Sequence, residues 1–164
     1  PDKEKANGRL NEIRACFVTL TKGGELRGCI GHIQPIESLA NAVVDNARSA
    51  ALRDPRFPPV RPDEVEQLSI EISVLTLPRP LTFASPEELL SLLQPHRHGV
   101  VLEIENRRST FLPQVWAQLP DKARFLEQLS LKAGADRSAW RGKDVRVSVY
   151  EVESFAEGET RGSE

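Results

Sequence analysis

The stretch ACFVTLTKGGELRGCIG (residues 15–31) gives the clearest fold signal in the chain. Two runs rich in apolar and β-branched residues flank Gly23-Gly24. A Gly-Gly pair between two such runs is typical of the two-residue turn of a β-hairpin. This turn places Lys22 opposite Glu25, as a cross-strand pair of opposite charge. The stretch therefore predicts an antiparallel pair of strands near the start of the chain.

The same turn predicts which residues of the two strands face each other. Counting outward from it places Val18 opposite Cys29 and Cys16 opposite Gly31. The two thiols then share one sheet face as diagonal neighbours, too far apart for an unstrained disulfide. We interpret Cys16 as a core residue. Because side chains alternate along a strand, His32 is expected to point away from Cys29.

The second predicted strand, LRGCIG (Leu26–Gly31), has an unusual composition. Gly28 and Gly31 flank Cys29, and glycine weakens a strand because it has no side chain to pack. We therefore expect a ligand to approach this backbone and its N–H groups closely. Arg27 lies two residues before the thiol, on the same predicted face, where a cation favours the thiolate.

Beyond the hairpin, short predicted strands are mixed irregularly with three predicted helices. The helices are predicted over residues 36–53, 85–93 and 121–133, and the further strands over residues 68–76, 99–105, 109–112 and 145–152. This order is typical of an α+β fold with a largely antiparallel sheet and flanking helices.

Composition and charge narrow the class of protein. The 164 residues suit one domain or two small subdomains, and a net charge of −2 gives no reason to expect a nucleic-acid or membrane partner. No apolar run approaches the roughly 20 residues that span a bilayer. Two cysteines are too few for a disulfide framework. We therefore expect a cytoplasmic protein that contacts no membrane, and binding of nucleic acid is disfavoured.

Six short motifs follow one another along the chain: LRGCIG, DPRFPPV, SIEISVLT, HGVVLE, FLPQV and FLEQLSLKAG. Together they resemble the AMMECR family, the A component of the microbial AmmeMemoRadiSam system, from about Cys16 to Phe155. The resemblance implies an α+β fold of two subdomains with a cleft between them, and it makes residues 26–31 the signature of the family. It implies no reaction, since the activity of the family is unsettled.

The resemblance also implies a domain organisation and possible partners. We expect a single AMMECR-like domain over residues 13–156, made of two interleaved subdomains. Independently of the resemblance, the charged residues 1–12 with Asn7-Gly8 predict a loose N-terminal lead-in, and residues 157–164 are expected to form a disordered tail. In microbes the family is associated with a Memo-like protein and a radical-SAM protein, so either is a candidate partner.

The candidate catalytic residues are Cys29, His98 and Glu71. Cys29 is a candidate nucleophile, although a cysteine can equally be an inert part of the core or line a groove. His98 precedes a predicted strand and matches the His-Gly step of the family, and the alternative is an ordinary loop histidine. Glu71 lies on the polar side of SIEISV, where it either serves a proton transfer or is simply solvated.

The candidate substrate-binding residues are Arg27, Gly28, Gly31, Asp54, Arg56, Phe57 and Lys132. Asp54, Arg56 and Phe57 share a proline-stiffened loop, DPRFPPVRP, in which an Asp–Arg pair can alternatively brace the loop itself. Lys132 matches the Lys-Ala-Gly step of the family, and it can alternatively complement a helix dipole. No metal or other cofactor is expected, because Cys29-x-x-His32 lacks further local ligands.

Two functions of different class follow from these residues. The first is an enzyme, or an enzyme component, that acts on a small polar substrate in a cleft centred on Leu26–Gly31. The alternative is a non-catalytic module that docks a Memo-like or radical-SAM partner. An exposed apolar patch around Phe57 and Pro59 favours docking, whereas ionisable groups around Cys29 favour catalysis.

Overall fold

The structure is a computed structural model that describes residues 8–157. The chain divides into two compact units, here called unit 1 (Pro1–Leu77 with Glu153–Glu164) and unit 2 (Pro78–Val152). Each unit contains a four-stranded sheet. The predicted α+β fold is confirmed, and the cleft that the resemblance implies stays a prediction.

The helices and strands follow one another in irregular order. They are β1 (Cys16–Lys22), β2 (Glu25–Gly31), α1 (Leu39–Leu52), β3 (Leu68–Leu75), β4 (Arg79–Pro80), α2 (Pro86–Leu92), β5 (Gly99–Ile104), β6 (Arg107–Phe111), α3 (Lys122–Lys132), β7 (Val145–Tyr150) and β8 (Val152–Ala156). Short 3-10 helices lie at Pro62–Gln67, Pro113–Ala117 and Ala139–Arg141. The short strands β4 and β8 have no counterpart among the predicted elements.

In unit 1 the sheet has the order β2-β1-β3-β8, and β1 pairs antiparallel with both β2 and β3. The helix α1 begins after Ser38, whose side chain accepts the Asn41 N–H (3.3 Å) as an N-cap. Its alanine-rich side packs on the sheet. The core of this packing contains Val18, Leu20, Ile30, Ile70 and Ile72 from the strands and Ala47, Ala50 and Ala51 from the helix.

The register of the first hairpin differs from the predicted one by a single residue. Lys22 does face Glu25, but the register shifts between Leu20 and Thr21, so that β2 contains one extra residue there, Arg27. Such a β-bulge moves every later pair by one position. The predicted pairs Val18–Cys29 and Cys16–Gly31 are therefore wrong.

Because of this bulge, the two cysteines lie on opposite faces of the sheet. Cys29 faces Thr19, and Gly31 faces Phe17. Cys16 shares the helix-covered face with Val18 and is fully buried, as its interpretation as a core residue requires. A slip of one residue exchanges the two faces of a strand, which is why the predicted proximity of the thiols fails.

The two glycines of β2 are explained by close packing within unit 1. A Cβ atom on Gly28 would lie 2.2 Å from the carbonyl oxygen of Ala50 in α1. A Cβ atom on Gly31 would lie 2.4 Å from the carbonyl oxygen of Cys16 and 2.5 Å from the Phe17 ring. The close approach that the glycines predicted is therefore made by a helix and a neighbouring strand, and an additional contact with a ligand stays a prediction.

Beside α1, the residues that the structure describes leave part of the apolar face of the sheet uncovered. A cavity of about 390 Å³ lies there, lined chiefly by apolar side chains of α1 and of the neighbouring strands β3 and β8. These include Leu39, Val43, Ile72, Val74 and Phe155. We call this cavity the apolar groove.

The ends of the chain lie partly outside the described residues. Of the expected lead-in over residues 1–12, residues 8–10 form a helical turn and the Glu12 carbonyl accepts the Leu39 N–H (2.8 Å). Of the expected tail over residues 157–164, Glu157 donates its N–H to the Ile70 carbonyl (3.1 Å). Residues 1–7 and 158–164 lie outside the described part.

In unit 2 the sheet has the order β4-β7-β5-β6, and the helices α2 and α3 contribute to its core. Trp116 stacks on Phe125 of α3 with ring centroids 3.7 Å apart. The Tyr150 ring occupies the place of a side chain at Gly99, where a Cβ atom would lie 2.2 Å from it. No helix in residues 8–157 is long and apolar enough to span a membrane.

The packing at Gly28 predicts a loss of stability on adding a single methyl group. In Gly28→Ala the new Cβ atom meets a helix carbonyl, so α1 must shift, and we expect the free energy of unfolding to fall by about 2 kcal/mol. Chemical denaturation measures the change. Gly8→Ala is the matched control, because nothing lies within 4 Å of a Cβ atom there. Equal unfolding free energies for Gly28→Ala and the wild type would contradict this packing role.

Candidate functional site

Three polar residues lie in one row across unit 1. Cys29 of β2 pairs with Thr19 of β1, and Thr19 pairs with Glu71 of β3. The Thr19 Oγ1 and Cys29 Sγ atoms are 3.3 Å apart and share a hydrogen bond in which either can be the donor. Since neighbouring strands are about 4.8 Å apart, the Cα atoms of Cys29 and Glu71 are separated by roughly 10 Å. The row lies on the face opposite α1.

The two thiols differ in their surroundings, and both are free. Cys29 is half-buried, whereas Cys16 is fully buried against α1, where Asn46 Nδ2 lies 3.5 Å from its Sγ atom. Burial raises the pKa of the Cys16 thiol above its ordinary value. Cys29 is therefore the thiol that a reagent can reach in the folded chain.

The backbone of Cys29 is held from the open edge of β2 by Asp54 and Arg56. The Cys29 N–H donates to Asp54 Oδ2 (3.0 Å), and Arg56 Nη2 donates to the Cys29 carbonyl (3.4 Å). Two side chains thus bind both polar groups of one residue on an edge strand, as a further strand would. We call this arrangement the edge clamp.

Asp54 and Arg56 also bind each other closely. Arg56 donates Nε to Asp54 Oδ1 (3.0 Å), Nη2 to Oδ2 (2.7 Å) and its backbone N–H to Oδ1 (3.0 Å). The Arg56 guanidinium is the main reason that the pKa of Asp54 lies far below its usual range, and the same pairing raises the pKa of Arg56. Of the two roles considered for these residues, the structure contains the bracing pair, and substrate binding stays a prediction.

The edge clamp changes the expected role of the β2 backbone. The sequence predicts that backbone N–H groups near Gly28–Gly31 stabilise negative charge on a substrate. The N–H of Cys29, in the middle of this stretch, already donates to the Asp54 carboxylate, so in this structure it is not free to act as an oxyanion donor.

Arg27 binds Glu64, which sequence analysis did not single out. Arg27 donates Nε to Glu64 Oε1 (3.3 Å) and Nη2 to Oε2 (3.2 Å), while Lys22 Nζ lies 3.2 Å from Oε1. The bulge at Arg27 breaks the alternation that placed its side chain beside Cys29, and its charge is paired with Glu64. The expectation that Arg27 favours the Cys29 thiolate is therefore not supported.

Glu64 is buried at the start of the 3-10 helix Pro62–Gln67. The backbone N–H of Arg61 donates to its carboxylate (2.8 Å), and this bond together with Arg27 and Lys22 lowers the pKa of Glu64 to about 2. A local signal was present. Pro62 at the first helical position and Glu64 two residues later form the pattern of a capped helix start.

His98 lies in unit 2, immediately before β5, and is buried. The Gln94 N–H donates to His98 Nδ1 (3.1 Å), so the neutral ring carries its proton on Nε2. Burial is the main cause of a lowered pKa at His98, and the Arg79 and Arg97 charges lower it further. This geometry favours a neutral ring that donates a hydrogen bond from Nε2. A role together with Cys29 stays a prediction.

The remaining candidates have structural partners. Phe57 lies under the Arg56 guanidinium, whose carbon is 5.5 Å from the ring centroid. Lys132, in unit 2, donates to the Thr110 carbonyl (2.8 Å) and lies over the Phe111 ring. Among residues 8–157, no group of three or more histidine, cysteine or acidic side chains is placed to hold a metal ion.

The Glu64 cluster predicts a pH dependence of stability. Its carboxylate has a pKa of about 2 in the folded chain and an ordinary value near 4.5 when unfolded. The contribution of Glu64 to stability is therefore complete above pH 4.5 and is lost as the pH falls towards 2. In Glu64→Gln we expect a smaller fall of the melting temperature across this window than in the wild type.

Thermal denaturation between pH 6 and pH 2 measures this difference. Glu66→Gln, on the same 3-10 helix but exposed, is the matched control and should follow the wild-type profile. Parallel profiles for Glu64→Gln and the wild type would contradict the assigned role.

Comparisons with known proteins agree with the resemblance of the six motifs. The AMMECR1 family model matches residues 1–155. Protein MK0488 of Methanopyrus kandleri is 43% identical over 158 residues, which cover 94% of this chain and 76% of that protein. Protein MJ0810 of Methanocaldococcus jannaschii is 39% identical over 156 residues, which cover 93% of this chain and 78% of that protein.

A solved structure is also similar. The crystal structure of the uncharacterized protein PH0010 from Pyrococcus horikoshii superposes with a TM-score of 0.80 at 35% identity, covering 95% of this chain and 79% of that one. The family predicted from the motifs is thereby confirmed. On both sequence and structure, the chain belongs to the AMMECR1 family.

Proposed function

We propose that the chain is an enzyme, or a component of one, that acts on a small polar substrate with Cys29 as the nucleophile. One observation carries this proposal: a half-buried thiol lies on the polar face of the sheet, bonded to the Thr19 hydroxyl, on a backbone that the edge clamp holds. A nucleophile held in one position reacts with less loss of orientational freedom.

The row across the sheet supports a simple chemical sequence. The Cys29 sulfur forms a bond to an electrophilic carbon of the substrate, and that carbon releases an electron pair, either from a double bond onto its heteroatom or with a leaving group. The thiol proton leaves for a base. Thr19 contacts the sulfur directly and can pass that proton on. Glu71 is exposed, lies roughly 10 Å away and can accept the proton through a substrate group or water between them.

A second function is favoured by a different surface. The apolar groove leaves hydrophobic side chains of unit 1 accessible, as docking sites for proteins often do. On the family resemblance, a Memo-like or radical-SAM protein is the candidate partner. The groove lies on the opposite face of the sheet from Cys29, so the two functions can be tested by separate variants. The loop at Phe57 favours docking less, since Phe57 is half-buried beneath Arg56.

We also propose that the protein acts in the cytoplasm. Two free thiols, one of them accessible, suit a reducing compartment.

Alkylation rates test the role of Cys29. With iodoacetamide at pH 7.5 we expect Cys29 to react at least about tenfold faster than Cys16, because a partly exposed thiol is reached without local unfolding. Peptide mapping by mass spectrometry assigns each adduct. Cys29→Ser should retain only the slow reaction, and unfolding in denaturant should equalise the two sites in the wild type. Equal rates in the native state would remove Cys29 as the nucleophile.

A further inference from the structure

The Arg56 guanidinium retains hydrogen-bond donors that the edge clamp does not use. Its Nε and Nη2 groups bind Asp54 and the Cys29 carbonyl. Within residues 8–157, Nη1 donates to no protein group, and the side chain is 54% exposed. The Asp54 side chain, by contrast, is 2% exposed. One edge of the guanidinium is therefore buried against a carboxylate, and Nη1 with its two N–H groups is left for another partner.

The orientation of this guanidinium is fixed by several independent contacts. Asp54 binds it through two parallel hydrogen bonds, which is the most directional pairing that arginine makes. The Phe57 ring lies beneath it, and the loop carries prolines at positions 55, 58 and 59 that restrict its backbone. A cationic donor held in this way loses little conformational freedom when it binds a ligand.

We propose that Arg56 forms an anion subsite beside Cys29, so that the substrate carries a carboxylate or phosphate group close to its electrophilic carbon. The proposal rests on the function proposed above and names the class of its substrate: a small anionic electrophile. The subsite is adjacent to the nucleophile because the same guanidinium donates to the Cys29 carbonyl.

The neighbouring charges are compatible with this subsite. Asp54 neutralises part of the Arg56 charge, but it occupies the buried edge and also accepts the Cys29 N–H. Glu71 would repel an anion, yet it lies two strands away, at roughly the distance over which salt screens exposed charges. Because Arg56 contacts the Cys29 backbone, its N–H groups are in reach of an anion bound beside the thiol on β2.

Two reagents of nearly equal size isolate the effect of charge. Iodoacetate and iodoacetamide both alkylate a thiolate, forming a sulfur–carbon bond and releasing iodide, and they differ in one carboxylate. We divide the rate constant of iodoacetate at Cys29 by that of iodoacetamide. The reference is the same ratio measured with N-acetylcysteine amide, an uncharged model thiol. For the wild type at low salt we expect a ratio about threefold to fivefold above this reference, the range of an exposed charge pair.

Variants assign the effect to one side chain. In Arg56→Gln the ratio should fall to the reference value, and iodoacetamide reports in the same variant whether the thiol itself has changed. Arg48→Gln removes an equal charge from an exposed position on α1 and should keep the wild-type ratio. Added salt should lower the wild-type ratio, because it screens exposed charges.

The outcomes separate this proposal from the proposed function. A wild-type ratio equal to the reference, or a raised ratio that survives in Arg56→Gln, would overturn the anion subsite while Cys29 remains a nucleophile. A Cys29 that reacts with iodoacetamide no faster than Cys16 would overturn the proposed function and the subsite with it. A raised ratio that only Arg56→Gln abolishes supports both.

Discussion

The candidate site depends on one buried carboxylate. Asp54 is almost excluded from solvent, and a buried charge is stable only when its oxygen atoms are fully hydrogen-bonded. Here the partners are the Cys29 N–H and three donors of Arg56. The same carboxylate therefore closes the edge of β2, ties the proline-rich loop to the sheet and orients the guanidinium. Local fold and site geometry follow from a single charged group.

The parts that sequence predicted correctly are those set by local patterns. The Gly-Gly turn with its Lys22–Glu25 pair and the alternation of β3 depend only on neighbours along the chain. At the bulge, the Arg27 side chain binds Glu64, which lies 37 residues away in sequence, and local patterns along the chain do not predict that contact. The extra residue of the bulge, Arg27, determines which face of the sheet carries Cys29. A local prediction of strands was therefore sufficient for the fold and insufficient for the site.

The glycines of β2 and His98 also have structural roles that the sequence does not predict. The sequence indicated that something approaches the backbone at Gly28, but it could not distinguish a ligand from the Ala50 carbonyl of a packed helix. Likewise, His98 was recognisable as a candidate, whereas its tautomer depends on the Gln94 N–H across a loop. In each case the residue type was informative, and its role was decided by a backbone group that sequence patterns do not describe.

The two arginines near Cys29 differ in how far their charges are already bound within the protein. The Arg27 side chain is only 12% exposed, and its charge is paired with the Glu64 carboxylate. Arg56 is bound on one edge and open on the other. The sequence predicts that Arg27 acts on the thiol, since it is the nearer cation along the chain. In the folded chain Arg56 contacts the Cys29 backbone, and it is the cation that we propose to bind a substrate beside the sulfur.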